Sequence, residues 1–197
     1  MCWNASVSLN TYIFGLFACL FSYFNNKVSF KSVLFFQSFM SMQLLEYFIW
    51  SKQFSNRLLS QLSYILVLSQ PFFGLLSSEK NVLLIFYTLF VAVLLLFNPW
   101  SSTDFRSTPA SNGHLAWHWL QLSLPWLFIW FLFLITKMVL NRNWISVLLM
   151  CVSISVSYIL YEKSMTWGSL WCWVSNVFAL YLIYNVFEED VCLYLKI

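Results

Sequence analysis

Apolar residues fall into seven blocks along the chain, separated by short polar connections. The blocks cover residues 5–24, 30–50, 58–78, 81–98, 118–138, 143–161 and 168–187. Stretches of about 18 or more apolar residues with few charges are typical of helices that cross a bilayer. The pattern therefore predicts an all-α membrane protein, a single domain over residues 1–197 built as a seven-helix transmembrane bundle, with the lipid bilayer as its solvent.

Helix-breaking residues support these boundaries, and two prolines predict kinks inside the third and fifth spans. Asn98 and Pro99 end the fourth block. Pro71 and Pro125 fall inside the third and fifth blocks, where a proline removes a backbone donor and is expected to kink a helix. A kink at Pro71 would free a backbone carbonyl beside Gln70, so the third span should carry a polar spot at mid-depth.

The composition leaves little room for a soluble activity. Hydrophobic residues make up 61% of the 197 residues and charged residues only 9%. The net charge of +3 is spread along the chain without a basic run, so nucleic-acid binding has no electrostatic basis. The longest polar connection, residues 98–112, is too short to hold a catalytic domain.

The distribution of basic residues predicts the orientation of the bundle. Six Lys or Arg residues fall on the side of the C-terminus and four on the side of the N-terminus. Because basic residues accumulate on the cytoplasmic face, this favours a cytoplasmic C-terminus and an N-terminus outside. Asn4, Ala5 and Ser6 form a glycosylation sequon, which is used only on the outer or lumenal face and agrees with this orientation.

Four unusual segments should meet at the N-terminal side of the membrane in this topology. They are residues 1–4, the second-span pair Gln43 and Glu46, residues 113–119 at the start of the fifth span, and residues 167–173 at the start of the seventh. A charged carboxylate costs roughly 2.5–3.5 kcal/mol at the centre of a span and less near its edge. Glu46 therefore needs a proton, a partner or access to headgroup water. Contact with headgroup water or with Lys52 in the following loop would imply no site, whereas a buried carboxylate that is protonated or paired with a cation would favour a binding site.

Two histidines suggest a metal site. His114 and His118 are spaced i and i+4, which on a helix would place both rings on one face. Together with Glu46 they would give two histidines and one carboxylate, a ligand set that suits a divalent metal such as zinc. Two histidines within an interfacial aromatic belt are the alternative.

The seventh span combines a polar stripe with aromatic neighbours. Ser169, Cys172 and Asn176 share one helical face, and the stripe either hydrogen-bonds to other helices or contacts a ligand. Cys172 could also form a disulfide with Cys2 in an oxidising compartment. The predicted ligand-binding residues are Gln43, Glu46, Gln70, Trp117, Ser169, Trp171, Cys172 and Asn176.

Five short motifs stand out in chain order. They are Met-Cys-Trp-Asn-Ala at residues 1–5, Met-Gln-Leu-Leu-Glu at 42–46, Gln-Pro at 70–71, Gly-His-Leu-Ala-Trp-His at 113–118 and Trp-Cys-Trp at 171–173. In this order they resemble a family of uncharacterised multi-pass membrane proteins of bacteria and large DNA viruses. The resemblance implies that these residues form one site, and it implies no particular chemistry.

Two other seven-span families fit less well. Microbial rhodopsins hold retinal on a lysine in the last span, and residues 168–187 contain no lysine, so a retinal Schiff base is not expected. Alkaline-ceramidase-like hydrolases bind zinc through three histidines, and this chain has two.

Three functions remain open from the sequence. The favoured one is not enzymatic: an outward-facing pocket with Glu46, His114 and His118 binds, senses or conducts a small cation, a proton or a small ligand, in a monomer or an oligomer. The second is an intramembrane metal-dependent hydrolase, in which a metal-bound water attacks a lipid. The third is a structural protein of a viral or other envelope.

Overall fold

Eight α-helices and one β-hairpin make up the described part of the chain. The computed structural model describes residues 4–78, 80–170 and 172–194. The helices are α1 Ala5–Phe24, α2 Phe30–Ser51, α3 Asn56–Ser78, α4 Asn81–Phe97, α5 Leu124–Leu140, α6 Trp144–Tyr161, α7 Trp167–Leu170 and α8 Cys172–Tyr194. The strands are β1 Ser107–Pro109 and β2 Leu115–Trp117, and short 3-10 helices cover Trp100–Ser102 and Glu162–Ser164.

Polar residues in the connections start several of these helices. Asn4 before α1, Ser29 before α2 and Asn143 before α6 each accept a hydrogen bond from the backbone N–H three residues further on, at 2.9, 3.2 and 3.1 Å. Such caps satisfy backbone donors that have no partner within the helix. The same polar residues that separate the apolar blocks in the sequence therefore also begin the helices.

The helices include candidates for membrane spans. Among the described residues, Ala5–Phe24, Asn56–Ser78 and Trp144–Ser164 are long and apolar enough to cross a membrane by length and composition. Asn81–Phe97 and Leu124–Leu140 are apolar but shorter. The prediction of a mostly helical protein with helices long and apolar enough to span a membrane is confirmed, while the count of seven spans and the orientation stay predictions.

The bundle is organised around α3. This helix packs against α2, α4 and α5, whereas α1 packs against α2 and α8, and α6 packs against α5 and α7. Polar residues of α2 face inward, since Ser38, Gln43 and Glu46 are all buried. The outer helices expose large apolar side chains, with Leu96 79% exposed on α4 and Ile159 78% exposed on α6. Surfaces of this kind suit contact with lipid.

The fifth predicted span, residues 118–138, begins too early. The chain forms the β-hairpin first, and α5 begins only at Leu124. Pro125 therefore occupies the first turn of α5, where its missing N–H removes no intrahelical hydrogen bond. The predicted kink at Pro125 is wrong for this reason, whereas Pro71 lies inside α3 as predicted.

Candidate functional site

The β-hairpin, residues 107–117, forms a cap at the end of the bundle where α3 and α5 begin. Its strands are antiparallel, and Ser107 pairs with Trp117 while Pro109 pairs with Leu115. The turn closes through a hydrogen bond from the Gly113 N–H to the Ala110 carbonyl at 3.0 Å. Gly113 has a φ of +80°, a conformation that glycine adopts without strain.

A paired set of hydrogen bonds holds the cap on α3. The Asn56 amide donates to the Ser107 carbonyl at 2.8 Å and accepts from the Ser107 N–H at 3.0 Å. The Ser107 hydroxyl hydrogen-bonds Ser60 at 2.9 Å and accepts from the Trp119 indole N–H at 3.0 Å. Because Ser107 is only 2% exposed, these bonds satisfy polar groups that water cannot reach.

The other edge of the cap lies on the connection between α6 and α7. The Trp117 N–H donates to the Met165 carbonyl at 2.9 Å, and the Asn112 amide donates to the Thr166 hydroxyl at 2.8 Å. Trp117 also packs directly over Gly168, leaving no space for a β-carbon there. The cap and the start of α7, which belong to two of the four segments predicted to converge, therefore meet at one end of the bundle together with the start of α3.

Below the cap lies a cavity of about 30 Å³, which we call the aromatic cavity. This is room for about one or two water molecules. Its lining is dominated by aromatic and aliphatic side chains, with Gln70 and Ser175 as the polar members. The lining residues are Phe39, Met42, Val67, Gln70, Trp117, Leu120, Leu122, Leu127, Trp130, Trp167, Gly168 and Ser175.

Pro71 explains how α3 contributes to this cavity. A proline cannot donate to the carbonyl four residues earlier, which here belongs to Val67. The Trp130 indole N–H donates to that carbonyl at 3.2 Å, and the Tyr87 hydroxyl donates to the neighbouring Leu68 carbonyl. The freed carbonyl expected beside Gln70 is therefore used to attach α5, and Val67, Gln70 and Trp130 all line the cavity.

Among the described residues, one side chain that lines the cavity carries a polar group without a hydrogen-bond partner. The indole nitrogen of Trp117 is buried without one in the described part of the chain, and the whole residue is only 4% exposed. The Gln70 amide makes a long hydrogen bond of 3.5 Å to the Ser38 carbonyl. A buried donor without a partner costs roughly 1–3 kcal/mol, and this donor belongs to a side chain that lines the cavity.

Three other predicted ligand-binding residues are buried within one helical turn of a residue that lines this cavity. Gln43 and Glu46 are both 0% exposed on α2, on the helical turns that follow the lining residues Phe39 and Met42. Ser169 is also 0% exposed, next to Gly168. Of the predicted set, Gln70 and Trp117 line the cavity itself.

Three further predictions fall on the seventh span. Asn176 lies in α8 and is only partly buried. Trp171 lies outside the described residues, and so do Cys2 and the side chain of Cys172. The predicted Cys2–Cys172 disulfide and the predicted contacts of Trp171 and Cys172 stay predictions.

The predicted metal site is not formed by the described residues. They contain no group of three His, Cys, Asp or Glu side chains placed to hold a metal ion, although Glu46, His114 and His118 are all among them. The physical reason is that the histidines flank strand β2 instead of sharing a helical face. Each strand residue advances the chain by about 3.3 Å, against 1.5 Å in a helix, which separates the two rings.

Each histidine has its own environment in the cap. His114 is buried at 6% exposure, and its ring lies 6.4 Å from the ring of Tyr161. Burial disfavours the charged imidazolium and lowers the pKa of His114 to about 4, so this ring is neutral at physiological pH. His118 is more exposed and its Nε2 atom hydrogen-bonds the Thr108 hydroxyl at 2.8 Å.

The cavity residues Phe39, Val67 and Trp130 were not anticipated from the sequence, because aliphatic and aromatic residues occur throughout the spans. Met42 and Trp167, in contrast, fall within two of the segments predicted to form the site. The one available signal was Pro71, because the carbonyl of Val67 had to find a donor elsewhere. Nothing in the local sequence indicated that the donor would be Trp130.

Comparisons with known proteins return no match: no family model, no curated protein and no solved structure is significantly similar to this chain. The resemblance to the bacterial and viral membrane-protein family therefore stays a prediction.

Proposed function

We propose that the chain is a multi-pass membrane protein with seven spans and an outer N-terminus, and that it binds a small neutral molecule in the aromatic cavity. Seven described helices have at least 17 residues, which supports the span count. The cap, the start of α3 and the connection before α7 share one end of the bundle. The lysine distribution supports placing that end outside.

A single observation carries the binding proposal: Trp117, whose indole N–H has no hydrogen-bond partner among the described residues, lines a cavity whose other walls are mainly rings and aliphatic groups, with Gln70 and Ser175 as polar members. Ligand sites combine predominantly apolar walls with a few polar groups that fix orientation. Trp117 would donate to an acceptor on the ligand, and the Gln70 amide would offer a second polar contact. The rings of Phe39, Trp130 and Trp167 would pack against its apolar part.

The lining favours a neutral ligand over an ion. None of the described lining residues is charged, so neither an anion nor a cation would meet a counter-charge at the cavity wall. A continuous polar path for ions is also absent among those residues. Binding or sensing of a neutral molecule is therefore a better proposal than permeation.

The size of the cavity determines how a ligand enters. A volume of about 30 Å³ holds only a water-sized group. A larger ligand would require the cap to shift away from Gly168 and Met165. We propose that the cap is the moving part and that Trp117 and Trp119 move with it as a stacked pair. A short hairpin joined to the helices by a few hydrogen bonds opens more readily than a helix packed along its whole length.

Photolabelling with a diazirine analogue of butanol tests this proposal. The probe carries a hydroxyl acceptor and an apolar tail, and mass spectrometry identifies the residues it modifies in purified protein in lipid nanodiscs. We expect saturable labelling of the cavity lining. Val67→Phe should abolish it by filling the cavity, and Trp117→Phe should weaken it by about 5–10-fold through loss of one hydrogen bond.

Ile65→Phe is the matched control for Val67→Phe. Ile65 lies two residues away on α3 and is 52% exposed, so the same added ring points out of the bundle. This variant should label like the wild type. Labelling confined to lipid-facing residues, and equal in Val67→Phe and Ile65→Phe, would overturn the binding proposal and favour a structural envelope protein.

A further inference from the structure

A second cavity lies at the opposite end of the bundle from the cap, where α5 ends and where α2 and α6 begin. It has a volume of about 260 Å³, and we call it the Lys137 cavity. Its polar lining side chains come from four separate parts of the fold. They are Lys27, Ser29, Ser32, Lys137, Asn141, Asn143, Ser146, Tyr181 and Asn185.

Lys137 is the central charge of this cavity. Its ammonium group donates to the Ser32 hydroxyl at 3.0 Å and lies 5.3 Å from the ring centre of Phe35. In the described part of the chain, no ion pair involves Lys137, and no carboxylate is among the residues lining the cavity. A partly buried cation without a counter-ion is costly unless a ligand provides one.

The neighbouring groups suit an anion with several oxygens. Hydroxyl and amide donors surround the lysine, including Tyr181, whose hydroxyl accepts from the Asn143 amide at 3.2 Å and keeps its own hydrogen to donate. Ser29 and Asn143 are the caps of α2 and α6, so the positive ends of two helix dipoles also border the cavity.

We propose that the Lys137 cavity binds the phosphate group of an anionic phospholipid. The position of the cavity favours a lipid over soluble phosphate, because it lies where the helices end and the headgroup layer would begin. Directly beside it, Trp144 and Ile145 at the start of α6 are 62% and 74% exposed. Those apolar side chains offer a surface along which an acyl chain can lie. Basic pockets between helix ends are known to hold lipid headgroups.

Native mass spectrometry tests this inference with wild-type protein in detergent. The titrants are dioleoyl phosphatidylglycerol, dioleoyl phosphatidylcholine and inorganic phosphate. We expect phosphatidylglycerol to bind more tightly than phosphatidylcholine. Lys137→Gln should weaken phosphatidylglycerol binding by roughly 5–10-fold, as expected for the loss of one lysine near a lipid phosphate.

Two control variants make the result interpretable. Lys137→Arg keeps the charge and should retain most of the binding. Lys163→Gln removes a charge from the exposed turn at the other end of the bundle and should bind like the wild type. If Lys137→Gln does not fold, Tyr181→Phe removes one donor with little change in volume and should weaken binding.

Two outcomes would overturn the inference. The first is equal binding of phosphatidylglycerol by the wild type and by Lys137→Gln or Tyr181→Phe. The second is saturation by inorganic phosphate with no gain from the lipid, which would assign the cavity to a soluble anion. Neither outcome bears on the aromatic cavity, which is tested by photolabelling at the other end.

Discussion

Gly168→Ala should destabilise the protein by about 1–3 kcal/mol, which corresponds to a drop of roughly 3–10 °C in the apparent Tm. A β-carbon at this position would lie 2.4 Å from Trp117 Cε3 and 2.9 Å from Leu120 Cδ2. The Trp117 ring cannot move away easily, because it is buried and stacked on Trp119 with ring centres 4.9 Å apart. The added methyl group is expected to push the cap away from α7. The measurement is the fraction of protein that stays monodisperse after heating to a series of temperatures.

Gly15→Ala provides the matched control. A β-carbon there would also overlap a neighbour, lying 2.3 Å from the sulfur of Met40. The overlap extends along the Met40 side chain, whose Cγ would lie 2.8 Å away, but an unbranched thioether chain can repack more readily than an indole. Alanine also improves helix propensity at both sites. The two variants therefore differ mainly in the side chain that the added β-carbon overlaps: an indole at Gly168 and a methionine at Gly15. Equal losses in stability would show that Trp117 is not tightly held over Gly168.

Asn56→Ala should release the cap from α3. This change leaves the Ser107 N–H and carbonyl without the partners that Asn56 provides at 3.0 and 2.8 Å. Since Ser107 is buried, the two unsatisfied groups should cost about 2–4 kcal/mol together. Hydrogen–deuterium exchange should show the Ser107 amide exchanging at least about tenfold faster than in the wild type, because each 1.4 kcal/mol of lost protection corresponds to a factor of ten.

Asn98→Ala is the control for this change. The Asn98 amide makes a hydrogen bond of 3.2 Å to the Leu94 carbonyl at the end of its own helix and holds no distant segment. Its loss should cost less than about 1 kcal/mol and leave exchange at Ser107 unchanged. Unaltered exchange at Ser107 in Asn56→Ala would mean that the cap is held by other contacts.

The helices could be predicted from the sequence because the relevant signals are local. An apolar run specifies a helix in lipid, and neighbouring polar residues such as Asn4 and Asn143 cap its start. Pro71 also carried local information, since a proline must leave a free carbonyl four residues earlier. These features depend on residues within one or two turns of each other.

The cap and the cavity could not be predicted in the same way. The hydrogen bonds between Asn56 and Ser107 join residues 51 positions apart in the sequence, and neither residue type stands out. The run around Trp117 is apolar enough to continue a helix, and only its packing on Gly168 and Met165 favours a strand. The i, i+4 spacing of His114 and His118 brings two rings together only on a helix, and the residues between them form strand β2 instead.

Helix α5 is a predicted span whose length fits poorly with a full crossing of the bilayer. Helix α5 has 17 residues, about 25 Å at 1.5 Å per residue, whereas the hydrocarbon core is about 30 Å thick. It nevertheless separates the cap from the Lys137 cavity. A short span can be accommodated by local thinning of the bilayer, and the outer position of the aromatic cavity depends on α5 crossing.

Cysteine labelling across α5 tests that crossing directly. Thr108→Cys in the cap and Asn141→Cys after α5 are both at exposed positions, and the wild type supplies the background from its native cysteines. With a membrane-impermeant maleimide, Thr108→Cys should label in intact cells and Asn141→Cys only after permeabilisation. Labelling of both from the same side would contradict a membrane-spanning α5, and labelling of Asn141→Cys alone in intact cells would contradict an outward-facing cap.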